Sequence, residues 1–218
     1  MKLATSYTSS ISRKVIMAGT GLFLMLFLLV HLGLNATILA NDGGKLFDRT
    51  ADLLRHNWGL HGLEILVWGG FIVHIWQGAS LTLGNQSKRS TQYAVSAGLS
   101  FDPARWMGLL GAIVLAFLGL HLYQFWLPNA LGTAASADSL SEQMRLAMSQ
   151  WWVVVIYGWG CLAVAAHLAH GWRSAIVTLG IVDRYRQWLT VAGTILAIVV
   201  PLGLAAIPIA LFTIHAAL

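Results

Sequence analysis

Five apolar stretches, each long enough to cross a lipid bilayer, constrain the fold of this 218-residue chain more than any other feature. A membrane-spanning helix needs about 20 predominantly apolar residues. Stretches of this length cover residues 15–39, 58–83, 106–127, 151–177 and 188–213. Charged residues make up only 10% of the chain, against roughly 25% in soluble domains. The sequence therefore predicts an all-α membrane protein whose single domain, residues 1–218, is a bundle of five transmembrane helices.

The basic residues are divided unequally between the two sides that alternating spans would define. Nine of the 13 Lys and Arg residues fall on the side of the N-terminus and four on the other side. The positive-inside rule assigns the richer side to the cytoplasm, so we expect a cytoplasmic N-terminus and a C-terminus outside. This asymmetry accounts for the net charge of +5 without a nucleic-acid partner.

Four histidines lie well inside four successive spans: His31, His74, His121 and His167. A histidine in hydrocarbon is costly unless its ring nitrogens find partners, so each one suggests a functional site. Counted at about 1.5 Å per residue from the predicted interfaces, two of them lie toward the outer leaflet and two toward the inner leaflet. We expect each depth-matched pair to join two helices that run in opposite directions. Such pairs suit two haems b, each with a histidine on either face.

Glycines and the choice of metal support the same interpretation. Each inner histidine is followed four residues later by glycine, which predicts an open notch one turn away, and each outer one is preceded ten residues earlier by glycine. Those glycines are Gly78, Gly171, Gly21 and Gly111. A catalytic zinc ion favours three converging ligands, and copper favours histidines with Cys or Met at one depth. Two separated pairs fit these metals less well.

Three polar residues near the inner interface are candidates for contacts with haem propionates. They are Lys14, His170 and Arg173. For His170 an alternative stays open, in which the ring simply meets interfacial water.

Four runs in order resemble the five-helix, dihaem cytochrome b subunit of succinate:quinone oxidoreductases, and the resemblance covers the whole chain. The runs are TGLFLMLFLLVHLGLN at 20–35, FIVHIWQG at 71–78, GLHLYQFW at 119–126 and AAHLAHGWRSAIVTLGI at 165–181. The resemblance implies that His31 and His121 bind the outer haem and His74 and His167 the inner haem. It also implies a membrane anchor without a succinate site of its own, in a bacterial inner membrane.

The resemblance further implies a set of partners and a path for electrons. An iron-sulfur subunit that carries a flavoprotein would dock on the basic inner face, and electrons would pass from it through the inner and outer haems to menaquinone or another quinone. The complex is expected to contact membrane lipid and to form a higher oligomer. The basic residues expected at the docking face are Lys88, Arg89, Arg105, Arg173, Arg184 and Arg186.

Glu64 and His61, near the outer end of the second span, are expected to transfer protons to the quinone. The alternative for Glu64 is a carboxylate that is merely hydrogen-bonded at a helix end. Other functions also stay open for the whole chain. They are the anchor of a quinol:fumarate reductase, the anchor of a hydrogenase or formate dehydrogenase, and a haem-free transporter that relays protons through intramembrane histidines.

Overall fold

The computed structural model describes residues 10–87, 103–131 and 139–216. Within these ranges the chain is helical and has no strand, so the all-α prediction is confirmed. The helices are α1 (Ser10–Ala36), α2 (Lys45–His56), α3 (Trp58–Ser87), α4 (Pro103–His121), α5 (Leu127–Ala130), α6 (Leu140–Met148), α7 (Trp151–Thr178) and α8 (Asp183–Ala216). A 3₁₀ turn, Thr37–Leu39, extends α1, and a π-helical turn, Leu122–Trp126, joins α4 to α5.

Among the described residues, five helical segments are long and apolar enough to cross a membrane, as the sequence predicts. They are Ile11–Leu39, Trp58–Gly84, Trp106–Ala130, Trp151–Thr178 and Asp183–Ala216. The largest difference from the predicted bounds is at the fifth span, whose helix begins at Asp183. Its polar first turn extends the helix beyond the apolar stretch, because an acidic residue at a helix N-terminus interacts favourably with the helix dipole.

The first four spans form a ring. The first span packs against the second and the fourth, the third packs against the fourth, and the second meets the third along a smaller contact. The first and third spans, and likewise the second and fourth, therefore face each other across the diagonals of the ring. The fifth span lies outside the ring, against α7 and α1. There Gly193 admits the ring of Trp172, whose indole nitrogen donates to the Leu189 carbonyl at 2.8 Å.

Two short helices cover the bundle on the side where α1 ends, which we call the far side; α1 begins on the near side. Helix α2 lies between the first and second spans, and α6 lies between the third and fourth. The two helices are joined by Asp48, whose carboxylate accepts hydrogen bonds from the backbone N and the Oγ of Ser141 at 2.9 and 2.7 Å. Phe47 of α2 is buried in the same apolar cluster as Met144 and Met148 of α6. The cap is thus held by both apolar packing and hydrogen bonds.

Candidate functional site

The four intramembrane histidines meet as two pairs inside the ring. The ring centres of His31 and His121 are 5.8 Å apart with their planes at 85°. Those of His74 and His167 are 6.2 Å apart with their planes at 72°. These are the same two pairs that helical depth suggested. The expectation that each pair joins antiparallel helices is wrong, because the pairs lie across the diagonals, where alternating spans run in the same direction.

The two pairs lie at different depths along the bundle. A Cβ built at Gly21 would be 3.4 Å from Cε1 of His74, and one at Gly111 would be 3.7 Å from Cε1 of His167. Both glycines therefore lie at the level of the second pair. Because His31 follows Gly21 by ten residues on one helix, the first pair is about 15 Å further toward the far side.

The first and third spans carry the same residues at matching positions. Met17, Gly21, Phe27 and His31 of the first correspond to Met107, Gly111, Phe117 and His121 of the third. Gly78 and Gly171, where notches were predicted one turn from the near-side histidines, both line the interior of the ring. A Cβ at Gly78 would meet Cε of Met17 at 3.3 Å, and one at Gly171 would meet Cε of Met107 at 3.7 Å. A flexible methionine tip from the neighbouring span borders each notch.

Hydrogen bonds and ring packing orient the histidines. Nδ1 of His74 lies 3.1 Å from Oγ1 of Thr20, and Nδ1 of His121 lies 3.4 Å from the Tyr157 hydroxyl. His31 packs against Phe27 with ring centres 5.4 Å apart. Nδ1 of His167 is buried and has no hydrogen-bond partner among the described residues. Neither Thr20 nor Tyr157 was identified from the sequence, because a contact between spans leaves no local pattern.

One cavity of about 2490 Å³ runs through the ring and is lined by all four histidines. This volume exceeds the roughly 300–1,000 Å³ of ordinary small-molecule pockets. Its wall is mainly apolar between the two ends. Lys14, His170 and Arg173 line the cavity together with the far-side residues His61 and Glu64. The residues expected near haem propionates and those expected near a quinone therefore all face this one cavity.

Glu64 is part of a polar group at the far side. Its Oε2 lies 3.5 Å from Nδ1 of His61, and its Oε1 accepts a hydrogen bond from the indole nitrogen of Trp126 at 3.4 Å. The side chains of His61 and Glu64 are 44% and 49% exposed. Trp126 ends the π-helical turn that follows His121. This contact with Glu64 was not predicted, because a tryptophan at the end of an apolar stretch is typical of an ordinary interfacial anchor.

The geometry of both pairs fits one metal ion between two imidazoles. An imidazole nitrogen binds a transition-metal ion at about 2 Å, and the ring centre lies roughly 1 Å further back, so two rings on one ion have centres about 6 Å apart. The observed separations are 5.8 and 6.2 Å. Within the described ranges no three His, Cys, Asp or Glu side chains converge. An ion bound here by two histidines would need its remaining ligands from a macrocycle such as a porphyrin.

Two further observations fit such a group. The unpaired Nδ1 of His167 shows that the near-side pair lacks a full set of polar partners within the described protein. Gly21 and Gly111 leave the space around the rings of that pair free of side chains. The donor set of two neutral imidazoles per site matches bis-histidine haem ligation.

The near side exposes several basic side chains. Lys14, Arg173, Arg184 and Arg186 are exposed, and Arg186 pairs with Asp183 at 3.0 Å. Lys88, Arg89 and the side chain of Arg105, which were also expected at a docking face, lie outside the described residues. The described part of the near side is thus basic, as predicted.

Comparison of the chain with protein-family models, with curated proteins and with solved structures gives no match.

Proposed function

We propose that this chain is the dihaem cytochrome b anchor of a succinate:quinone oxidoreductase in a bacterial inner membrane. The observation that carries the proposal is the pairing of four histidines, one from each span of the ring, at 5.8 and 6.2 Å inside one apolar cavity. The resemblance of the histidine-containing runs to that family also supports it.

In this proposal each pair supplies the two axial ligands of one haem b. His31 and His121 would hold the far-side haem, and His74 and His167 the near-side haem. When bound, the two haems would supply one-electron transfer between the faces of the membrane. The apolar wall excludes water and keeps the imidazoles neutral, which is the form that binds a metal ion. Lys14, His170 and Arg173 would offer positive charge or hydrogen bonds to propionates.

Glu64 and His61 would handle protons for a quinone at the far side. The carboxylate and imidazole lie 3.5 Å apart, close enough for a proton to pass between them through small side-chain movements or one water molecule. Both residues line the cavity near the far side, and Trp126 restrains one carboxylate oxygen through its N–H. The substrate would be menaquinone or a related quinone, and reduction would consume protons from the far side.

The basic near side would dock an iron-sulfur subunit that carries a flavoprotein with the succinate site. Exposed arginines there offer bidentate hydrogen bonds to acidic side chains of a partner. The same charges also fix the topology and attract anionic lipid.

A reduced-minus-oxidised spectrum of the purified chain tests the proposal. Protein isolated in mild detergent should show b-type haem bands on dithionite reduction, and haem quantitation should give two haems per chain. An iron-sulfur protein and a flavoprotein should copurify. A chain without haem bands would overturn the proposal in favour of a proton-relaying transporter, and different partners would assign the anchor to another oxidoreductase.

A further inference from the structure

One histidine of each pair has its Nδ1 beside a hydroxyl group. His74 faces Thr20 at 3.1 Å, and His121 faces Tyr157 at 3.4 Å. A neutral imidazole carries its proton on only one nitrogen, and the partner of one nitrogen decides which. The hydroxyl oxygens can either donate to these rings or accept from them. Their other hydrogen bonds decide between the two.

The hydroxyl hydrogen of Thr20 already takes part in a hydrogen bond within α1. Its Oγ1 donates to the carbonyl oxygen of Ile16 at 2.9 Å, with the Met17 carbonyl at 3.2 Å. Carbonyl oxygens only accept. Since a threonine hydroxyl has one hydrogen, its oxygen must accept from the imidazole. Nδ1 of His74 therefore carries the proton and Nε2 keeps its lone pair.

The same reasoning applies to Tyr157, which lies beside His121 in the far-side pair. Its hydroxyl donates to Oε1 of Gln124 at 2.9 Å, so the phenolic oxygen accepts from Nδ1 of His121. Gln124 belongs to the π-helical turn. Its backbone carbonyl oxygen accepts a hydrogen bond from Nε2 of Gln143, on the cap helix α6, at 3.0 Å. The orientation of His121 is thus connected to the cap.

We infer that Thr20 and Tyr157 are positioning residues, which hold His74 and His121 as the Nδ1–H tautomer and keep Nε2 of each ring available to a metal ion. The inference rests on the proposed haem function. Donation from Nδ1 raises the basicity of the ligating nitrogen and fixes the ring plane. Nδ1 of His167 lacks such a partner among the described residues. In the near-side pair, a hydroxyl group therefore fixes the tautomer of His74, while no described residue fixes that of His167.

Isosteric variants that lose only the hydroxyl test this role in the full-length, haem-loaded chain. Thr20→Val should weaken haem binding at the near-side pair by about 10- to 100-fold, the usual effect of removing such a partner. It should also raise the midpoint potential of that haem, because a less basic ligand stabilises the ferric form less. Tyr157→Phe should do the same to the far-side haem only. Thr20→Ser should restore wild-type behaviour.

Matched controls are available for both positions. Thr194 also donates to a backbone carbonyl within its helix, at 2.7 Å, and Tyr123 is 68% exposed in the π-helical turn. Thr194→Val and Tyr123→Phe should leave both potentials unchanged. Gln124→Leu should mimic Tyr157→Phe, and the double variant should shift the potential no further than either single one.

The outcomes separate this inference from the proposed function. If two haems bind but Thr20→Val and Tyr157→Phe behave like their controls, or shift both haems together, the positioning role is wrong while the haem proposal stands. Nitrogen-15 spectra of histidine-labelled, haem-free chain report the tautomer without any haem. An Nε2–H signal that disappears in His74→Ala or His121→Ala would overturn the inference whatever the haem content.

Discussion

Gly21 lies directly against the ring of His74, with 3.4 Å between the position of a Cβ at residue 21 and Cε1 of the imidazole. The contact brings the backbone of the first span next to a ligand carried by the second. Any side chain larger than a methyl group at this position would occupy space that the ring uses. The position thus couples helix packing to the orientation of the candidate ligand.

Gly21→Leu should therefore displace His74 and remove the near-side haem, while the far-side haem stays bound. Optical spectra with haem quantitation should show about half of the wild-type haem. Gly19→Leu is the matched control, because a Cβ at Gly19 has no neighbour within 4 Å. A Gly21→Leu chain with both haems at wild-type potentials would contradict the close packing at this site.

Single histidine substitutions should remove the haems selectively. His31→Ala or His121→Ala should remove only one haem, and His74→Ala or His167→Ala only the other, because each ion would lose one of its two protein ligands. Redox titration identifies which component is lost. If every substitution removed both haems from a chain that still elutes as folded protein, the two sites would not be independent.

Glu64→Gln should leave both haems bound but slow quinone turnover by on the order of 100-fold, the usual scale for losing a general acid. In membranes, succinate oxidation with an acceptor that takes electrons at the flavin should be unchanged, while reduction of a quinone analogue falls. Asp52→Asn, an exposed carboxylate on α2, serves as the control. If quinone turnover in Glu64→Gln matches that of the wild type, Glu64 is merely a hydrogen-bonded carboxylate at a helix end. His61 would then be the next residue to test.

Asp48→Ala should loosen the far-side cap. The substitution removes the acceptor of the backbone N of Ser141, a residue that is 3% exposed, at a cost of about 1–3 kcal/mol. Hydrogen exchange should rise across Lys45–His56 and Leu140–Met148 relative to wild type. Unchanged exchange in both helices would mean that apolar packing alone holds the cap.

The expected topology can be tested with single cysteines. Cys161 is buried and is the only cysteine in the sequence, so a Cys161→Ala chain is a suitable background. Asn41→Cys should react with a membrane-impermeant maleimide in spheroplasts, and Arg184→Cys only in inverted vesicles, as the positive-inside rule requires. The reverse labelling pattern would invert the topology and with it the proposed docking face.

The sequence was informative where position along a helix converts directly into depth. Each span is one uninterrupted helical segment around its histidine, so a rise of about 1.5 Å per residue was enough to pair His31 with His121 and His74 with His167. The relative direction of the paired spans was wrong, although alternation alone determines it.

Other features could not be predicted because they depend on contacts between distant segments. Thr20 and His74 are 54 positions apart, and Trp126 and Glu64 are 62 apart. Nothing near either residue in the sequence indicates its partner. Helix α2 is a different case, because Leu46, Thr50 and Leu54 recur at helical spacing. That pattern is short and its segment carries many charges, so it predicts a helix less strongly than the long apolar spans do.

The diagonal arrangement of the histidines also sets an order for biogenesis. A chain inserted from its N-terminus gains His31 with the first span and His121 with the third, so the far-side pair is complete before the fourth span is made. The near-side pair must wait for His167 in the fourth span. The fifth span contributes no member to either pair. A nascent chain released after the third span would thus carry one complete histidine pair, and one released after the fourth would carry both.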